Sequence, residues 1–218
     1  MKKVSLAKGS IMKKAFNEDF HKSLRTVVEE IELKSGVEIV VALTPSSGSY
    51  REINHWIAAA FSFIIFTLLV FTDLEFGDEA LYVLPVFTYL IVYFSINYLP
   101  VIKRKWIGKT KMKKVVEIHS RATFQKGELY ETRERIGILF FFSFLEREAF
   151  IVADRGAIQL VPAAEWERLN KESNEIFTTT NPAAALLTFL KNTAPLFEKT
   201  IARLPDDINE LPDDIQVL

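Results

Sequence analysis

The chain has 218 residues, room for one ordinary domain carrying an insertion or for two very small domains. It is 49% hydrophobic and 25% charged with a net charge of −1, so overall charge points to neither nucleic acid nor acidic ligands, and only local charge is informative. Cysteine is absent, which excludes disulfides, thiolate metal sites and a thiol nucleophile.

The first residues, Met1-Lys2-Lys3-Val4-Ser5-Leu6-Ala7-Lys8, lack an apolar core of signal-peptide length, so no cleaved leader is expected. Phe16, Phe20, Leu24, Val28 and Ile31 recur at three- and four-residue spacing and predict a helix over 18–34, with Asn17 as N-cap and Gly36 as C-cap. Residues 37–43 (VEIVVAL) are β-branched and nearly all apolar, as in a strand buried on both faces. Pro45, Ser46, Ser47, Gly48 and Ser49 end it.

Two uncharged apolar runs follow, 56–72 and 80–102. As a helix the first reaches about 25 Å against a hydrocarbon core of about 30 Å. Its Ile, Leu, Phe and Val residues favour insertion by on the order of 3–6 kcal/mol in total. Soluble core helices keep a polar face, and these runs have none. Pro85 falls near the start of the second run, and Trp56, Tyr82, Tyr98 and Trp106 stand near the ends as interfacial aromatics do. Asp73, Glu75, Asp78 and Glu79 surround the connection, whereas Lys103, Arg104, Lys105, Lys109, Lys111, Lys113 and Lys114 follow the second run and Arg51 precedes the first. This asymmetry predicts a transmembrane hairpin with both termini cytoplasmic and residues 73–79 outside.

Residues 103–126 read as one basic helical stretch, and 136–144 and 149–153 as two strands joined by the charged turn Glu146-Arg147-Glu148. Asp154-Arg155-Gly156 reads as a turn and 162–176 as a helix. Asn181-Pro182 opens a last helix, with a break or kink at Pro195. Strands at 37–43 and 136–144 suggest a parallel pair, which needs a crossover containing the hairpin. Residues 1–54 and 103–203 are therefore expected to form one small cytoplasmic α/β domain, interrupted at 55–102 and followed by an acidic tail, 204–218.

Four tracts carry a resemblance: Gly36-Val37-Glu38-Ile39-Val40-Val41, Arg135-Ile136-Gly137-Ile138-Leu139-Phe140-Phe141, Ala149-Phe150-Ile151-Val152-Ala153-Asp154-Arg155-Gly156, and Pro162-Ala163-Ala164-Glu165-Trp166. In this order they resemble the TPM-domain family, in particular its short bacterial membrane proteins with a hairpin inside the domain. The resemblance implies an α/β sandwich. It also implies two roles: weak acid phosphatase activity, sometimes with Ca2+, or an adaptor role in membrane assemblies. The partner it suggests is a LemA-type protein, another TPM-domain protein or a further copy.

The residues themselves offer little catalysis: there is no Gly-rich phosphate loop, His-Glu-x-x-His, EF-hand loop or Gly-x-Ser-x-Gly. His21, His55 and His119 fall on different predicted elements. Asp154 follows a strand end and offers one carboxylate to a divalent cation, with Thr44, Ser46 and Ser47 as neighbours from the other strand. The competing reading is an Asx turn with Gly156 at positive φ. Lys103, Arg104, Lys105 and Lys109, just past a span, suit anionic lipid headgroups better than nucleic acid, at about 1 kcal/mol each. The tail repeats Leu204-Pro205-Asp206-Asp207-Ile208 as Leu211-Pro212-Asp213-Asp214-Ile215. Asp206, Asp207, Asp213 and Asp214 thus read either as a docking element for a partner or as a solvating acidic tail.

Overall fold

A computed structural model describes residues 16–72, 76–127 and 135–203, and the backbone at 216–217. Residues 48–111 form one compact unit, and the described residues on either side of them in sequence form the other.

The second of these is an α/β unit. Helix α1 (Glu18–Lys34) begins where the Asn17 side chain accepts from the Phe20 amide at 2.9 Å, and ends at Ser35. The C-cap is thus one residue earlier than expected, and the Gly36 amide goes to the Ile201 carbonyl. Strands β1 (Glu38–Thr44) and β2 (Gly137–Ser143) pair in parallel from Glu38↔Gly137 to Thr44↔Ser143. Strand β3 (Glu148–Ala153) returns antiparallel to β2. The backbone of Gln216–Val217 adds a short parallel strand on the far edge of β1, opposite Ala42 and Leu43, within the segment expected to be only a tail.

Every residue of β1 and β2 is buried, because both faces of the sheet are covered. Side chains alternate between faces along a strand. Ile39, Val41, Leu43, Ile138, Phe140 and Phe142 join one core with α1 and two later helices, Ala163–Glu175 and Pro182–Thr200. Val40, Ala42, Leu139 and Phe141 join the other with Val116 and Phe124, from the helix Lys109–Lys126. Each fully buried Phe contributes about 1.5–3 kcal/mol.

Residues 48–111 are helical. Helices α2 (Arg51–Phe71) and α3 (Asp78–Ser95) pack antiparallel, since their contacts pair Asn54 with Asn97, His55 with Tyr89 and Ser62 with Pro85. Pro85 lies inside α3 rather than near its start, and its carbonyl accepts from Ser62 Oγ at 2.9 Å. A 3-10 turn, Ile96–Tyr98, continues α3. The second apolar run then breaks at Leu99 (φ −113°, ψ 68°), because Pro100 disfavours the helical conformation in the residue before it. Residues 103–126 are likewise two helices, α4 (Pro100–Trp106) and α5 (Lys109–Lys126), parted at Ile107 and Gly108. Tyr50 caps α2 at φ 45°, and a Cβ on Gly48 would meet its ring at 2.7 Å, so a larger residue there would have to displace the buried ring.

Past β3, Asp154-Arg155-Gly156 is not a turn: Arg155 starts a short helix, α6 (Arg155–Leu160), and Gly156 has no positive φ. The left-handed residues near these strands are Arg135 (φ 53°), whose carbonyl accepts from the Gly156 amide, and Arg147 (φ 52°) in the β2–β3 hairpin. Helices α7 (Ala163–Glu175) and α8 (Pro182–Thr200) follow, with Asn181 accepting from the Ala184 amide and α8 running on through Pro195.

Candidate functional site

Strands β1 and β2 end at the same level, in the polar residues Thr44 and Ser143. Their pairing extends one step further, through Phe144 N to Thr44 O and Leu145 N to Pro45 O, each 3.0 Å. This brings Thr44-Pro45-Ser46-Ser47 against Ser143-Phe144-Leu145-Glu146. The Glu146 side chain turns inward and is buried. Its Oε2 accepts from Ser143 Oγ at 2.6 Å, and its Oε1 accepts from Ser46 Oγ and the Ser47 amide, each at 3.2 Å. Ser47 Oγ donates to Ser143 Oγ at 2.8 Å, so hydroxyl protons point in sequence from Ser47 to Ser143 to the carboxylate. Such chains polarise one another in a low dielectric.

His119, on α5, joins from the other side, with Nδ1 3.2 Å from the Ser47 carbonyl and its ring tilted on Phe141. A carbonyl only accepts, so Nδ1 carries the proton and a neutral ring presents Nε2 as acceptor. The cluster lies at the carboxyl ends of parallel strands, where α/β sheets gather ligands. As a nucleophile-and-base pair it is poorly placed: the hydroxyl that Glu146 contacts at 2.6 Å belongs to Ser143, which is fully buried, and His119 reaches the carbonyl rather than the hydroxyl of Ser47. Its evident chemistry is to clamp the two loops together.

Asp154 stands elsewhere. Because β3 runs antiparallel, its last residues lie beside the start of β2, and the Asp154 amide donates to the Gly137 carbonyl at 2.9 Å. Seven-residue strands put about 20 Å between that end and the Thr44–Ser47 loop, so the expected neighbours do not meet it. Asp154 instead caps α6, with Oδ1 accepting from the Arg155 amide, while Oδ2 is buried without a hydrogen-bond partner. Calcium takes six to eight oxygens. Among the described residues no group of three or more His, Cys, Asp or Glu could hold a metal ion, so Asp154 has no companion carboxylate of that kind there.

In the helical unit, Lys103 departs from the headgroup reading. It is only 6% exposed, and Nζ donates to the Ser49 carbonyl at 3.0 Å and to Asn97 Oδ1 at 3.5 Å. Asn54, also buried, donates to the same Asn97 oxygen at 2.8 Å. The reason is helical spacing: Lys103 and Ile107, four apart, share the inward side of α4. Lys105 and Lys109 are exposed, and Arg104 is half-buried. Asp206, Asp207, Asp213 and Asp214 lie outside the described residues.

Glu146 and the Asn54–Asn97–Lys103 cluster were not anticipated. The matching polar ends of β1 and β2 were the signal for the first. For the second the signal was Asn97, the one amide side chain deep in the apolar runs, while its partner Asn54 lies 43 residues away.

No family model matches the chain, and no curated protein matches it. Among solved structures it is similar to the NMR structure of the BA42 protein from the psychrophilic bacterium Bizionia argentinensis, with 13% identity and a TM-score of 0.56 over 92% of this chain and 94% of that one. At that identity the likeness is one of fold, and it agrees with an α/β architecture.

Proposed function

We propose that the chain is a membrane-anchored, TPM-like α/β sandwich protein that binds other proteins in an assembly at the cytoplasmic face of the inner membrane. The observation that supports the anchor best is the outward-facing apolar surface of two 21-residue helical segments, Arg51–Phe71 and Asp78–Tyr98. Phe61, Phe63, Phe71, Val86, Phe87, Ile91 and Phe94 are all exposed. Twenty-one helical residues reach about 30 Å, the thickness of the hydrocarbon core. The basic residues beside α4 favour both termini being cytoplasmic. The binding role rests on the Glu146 cluster closing on itself rather than facing a substrate, and on the repeated acidic motif of the tail.

A metal-assisted phosphatase is the second reading, supported by the unpartnered Asp154 Oδ2.

A mild-detergent pull-down of the tagged protein tests the binding role. Neutralising Asp206, Asp207, Asp213 and Asp214 to Asn is preferable to truncation, because Gln216–Val217 pairs with β1. The reading expects a stoichiometric membrane partner, LemA-type or TPM-domain, that is lost on neutralisation. Recovery of the protein alone would count against it, and phosphate release abolished by Asp154→Asn would favour the enzyme.

A further inference from the structure

Helix α4 is turned the wrong way round for a helix in water. Of its residues Lys103 is buried, whereas Val101 is 67% exposed, Trp106 59% and Ile102 42%. Ile102 and Trp106 are four apart and share one side, Val101 and Lys105 the neighbouring side, and Lys103 with Ile107 the inward side. Tyr98 and Leu99, just before the helix, are exposed as well. A helix facing solvent hides its apolar side chains, whereas α4 exposes Val101, Ile102 and Trp106 and buries Lys103 at the end of an apolar span.

We propose that α4 is an interfacial helix resting in the headgroup boundary of a bilayer that carries anionic lipid, rather than the last turns of the second span. This inference rests on the membrane reading of α2 and α3. Ile102 and Trp106 insert toward the acyl chains, and Lys105 with Lys109 meets headgroup phosphates. Lys103 turns inward to Ser49 and Asn97 and holds the helix against the hairpin. The break at Leu99–Pro100 is what permits it, since an unbroken α3 would carry residues 101–106 along the axis of the span. Three observations favour a lipid surface as the occupant: the exposed apolar face continues that of α3, it ends in an exposed tryptophan, and it is bordered by exposed lysines.

Tryptophan quenching in the full chain tests this, in vesicles of phosphatidylcholine and phosphatidylglycerol brominated either near the headgroup or near the chain end. Trp56→Phe with Trp166→Phe leaves only Trp106, and Trp106→Phe with Trp166→Phe leaves only Trp56. The inference expects Trp106 to lose emission to the shallow bromines, and more than to the deep ones. Red, unquenched Trp106 emission beside a quenched Trp56 would overturn it and leave the anchor standing. Blue but unquenched emission would also overturn it, because a protein surface then covers α4. If neither tryptophan is quenched, the membrane reading itself fails. Should Trp166→Phe prevent folding, a nitroxide at Ile102→Cys in the otherwise cysteine-free chain gives the same answer. Greater collision with oxygen than with a water-soluble nickel complex supports insertion, and the reverse refutes it.

Discussion

Phenylalanine is used in two opposite ways in this chain. In β2, Phe140, Phe141 and Phe142 are completely buried, because helices cover both faces of a short parallel strand. In α2, Phe61, Phe63, Phe66 and Phe71 are exposed, while three polar side chains of the same helix reach across to α3 and the turn after it: Asn54 to Asn97, His55 to Tyr89, Ser62 to Pro85. The α/β unit hides apolar groups from water, whereas the helical unit buries the Asn54–Asn97 pair, bonds Ser62 across to Pro85 and presents apolar side chains outward. The second pattern suits a solvent that cannot hydrogen-bond, in which polar contacts between helices replace the hydrophobic drive. Composition alone does not separate the two regions, but the direction in which the side chains face does.

The contrast can be broken at several points. Phe140→Ala should destabilise the α/β unit by about 3–5 kcal/mol, read from denaturant unfolding in detergent. Phe63→Arg should leave that unit intact and oppose membrane insertion by about 3 kcal/mol, read as loss from the carbonate-resistant membrane fraction. Equal effects of the two substitutions on the α/β unit would dissolve the distinction. Glu146→Ala strands the donors of Ser143, Ser46 and Ser47 and should cost about 1–3 kcal/mol. Faster hydrogen exchange at the 44–47 loop should accompany it. Asn17→Ala removes the cap of α1 and should cost about 1 kcal/mol in the same unfolding assay. The smallest effect is expected at Arg168, whose guanidinium is held charged first by Glu165 and then by Glu172 on the surface of α7. Arg168→Ala should change stability by less than about 1 kcal/mol, and less still in high salt.

Local rules made much of this legible. The apolar period of α1, its Asn17 cap, the β-branched run of β1 and the Asn181-Pro182 start of α8 each follow from a few neighbouring residues, and the parallel pairing follows from two buried strands separated by a long crossover. What was missed depends on contacts between distant residues or on strand direction. Asp154 follows a strand end, but that strand is antiparallel, so it occupies the wrong end of the sheet to meet Ser46 and Ser47. Glu146 looks like a solvated turn residue until the register of Thr44 with Ser143 brings three donors onto it. Lys103 looks like its basic neighbours, yet it shares the inward side of α4 with Ile107 and reaches Asn97.

The account depends on the orientation of the helical unit in a bilayer, and single-cysteine labelling tests it most directly, since the native chain has no cysteine. Cysteines at Gly77, Phe63, Lys22 and Glu167 would be treated in intact cells with a membrane-impermeant maleimide, before and after permeabilisation. The account predicts that position 77 labels in intact cells, that 22 and 167 label only after permeabilisation, and that 63 resists labelling until the membrane is dissolved in detergent. Ready labelling at position 63 in the permeabilised but intact membrane, or labelling of 22 and 167 from outside, would contradict it.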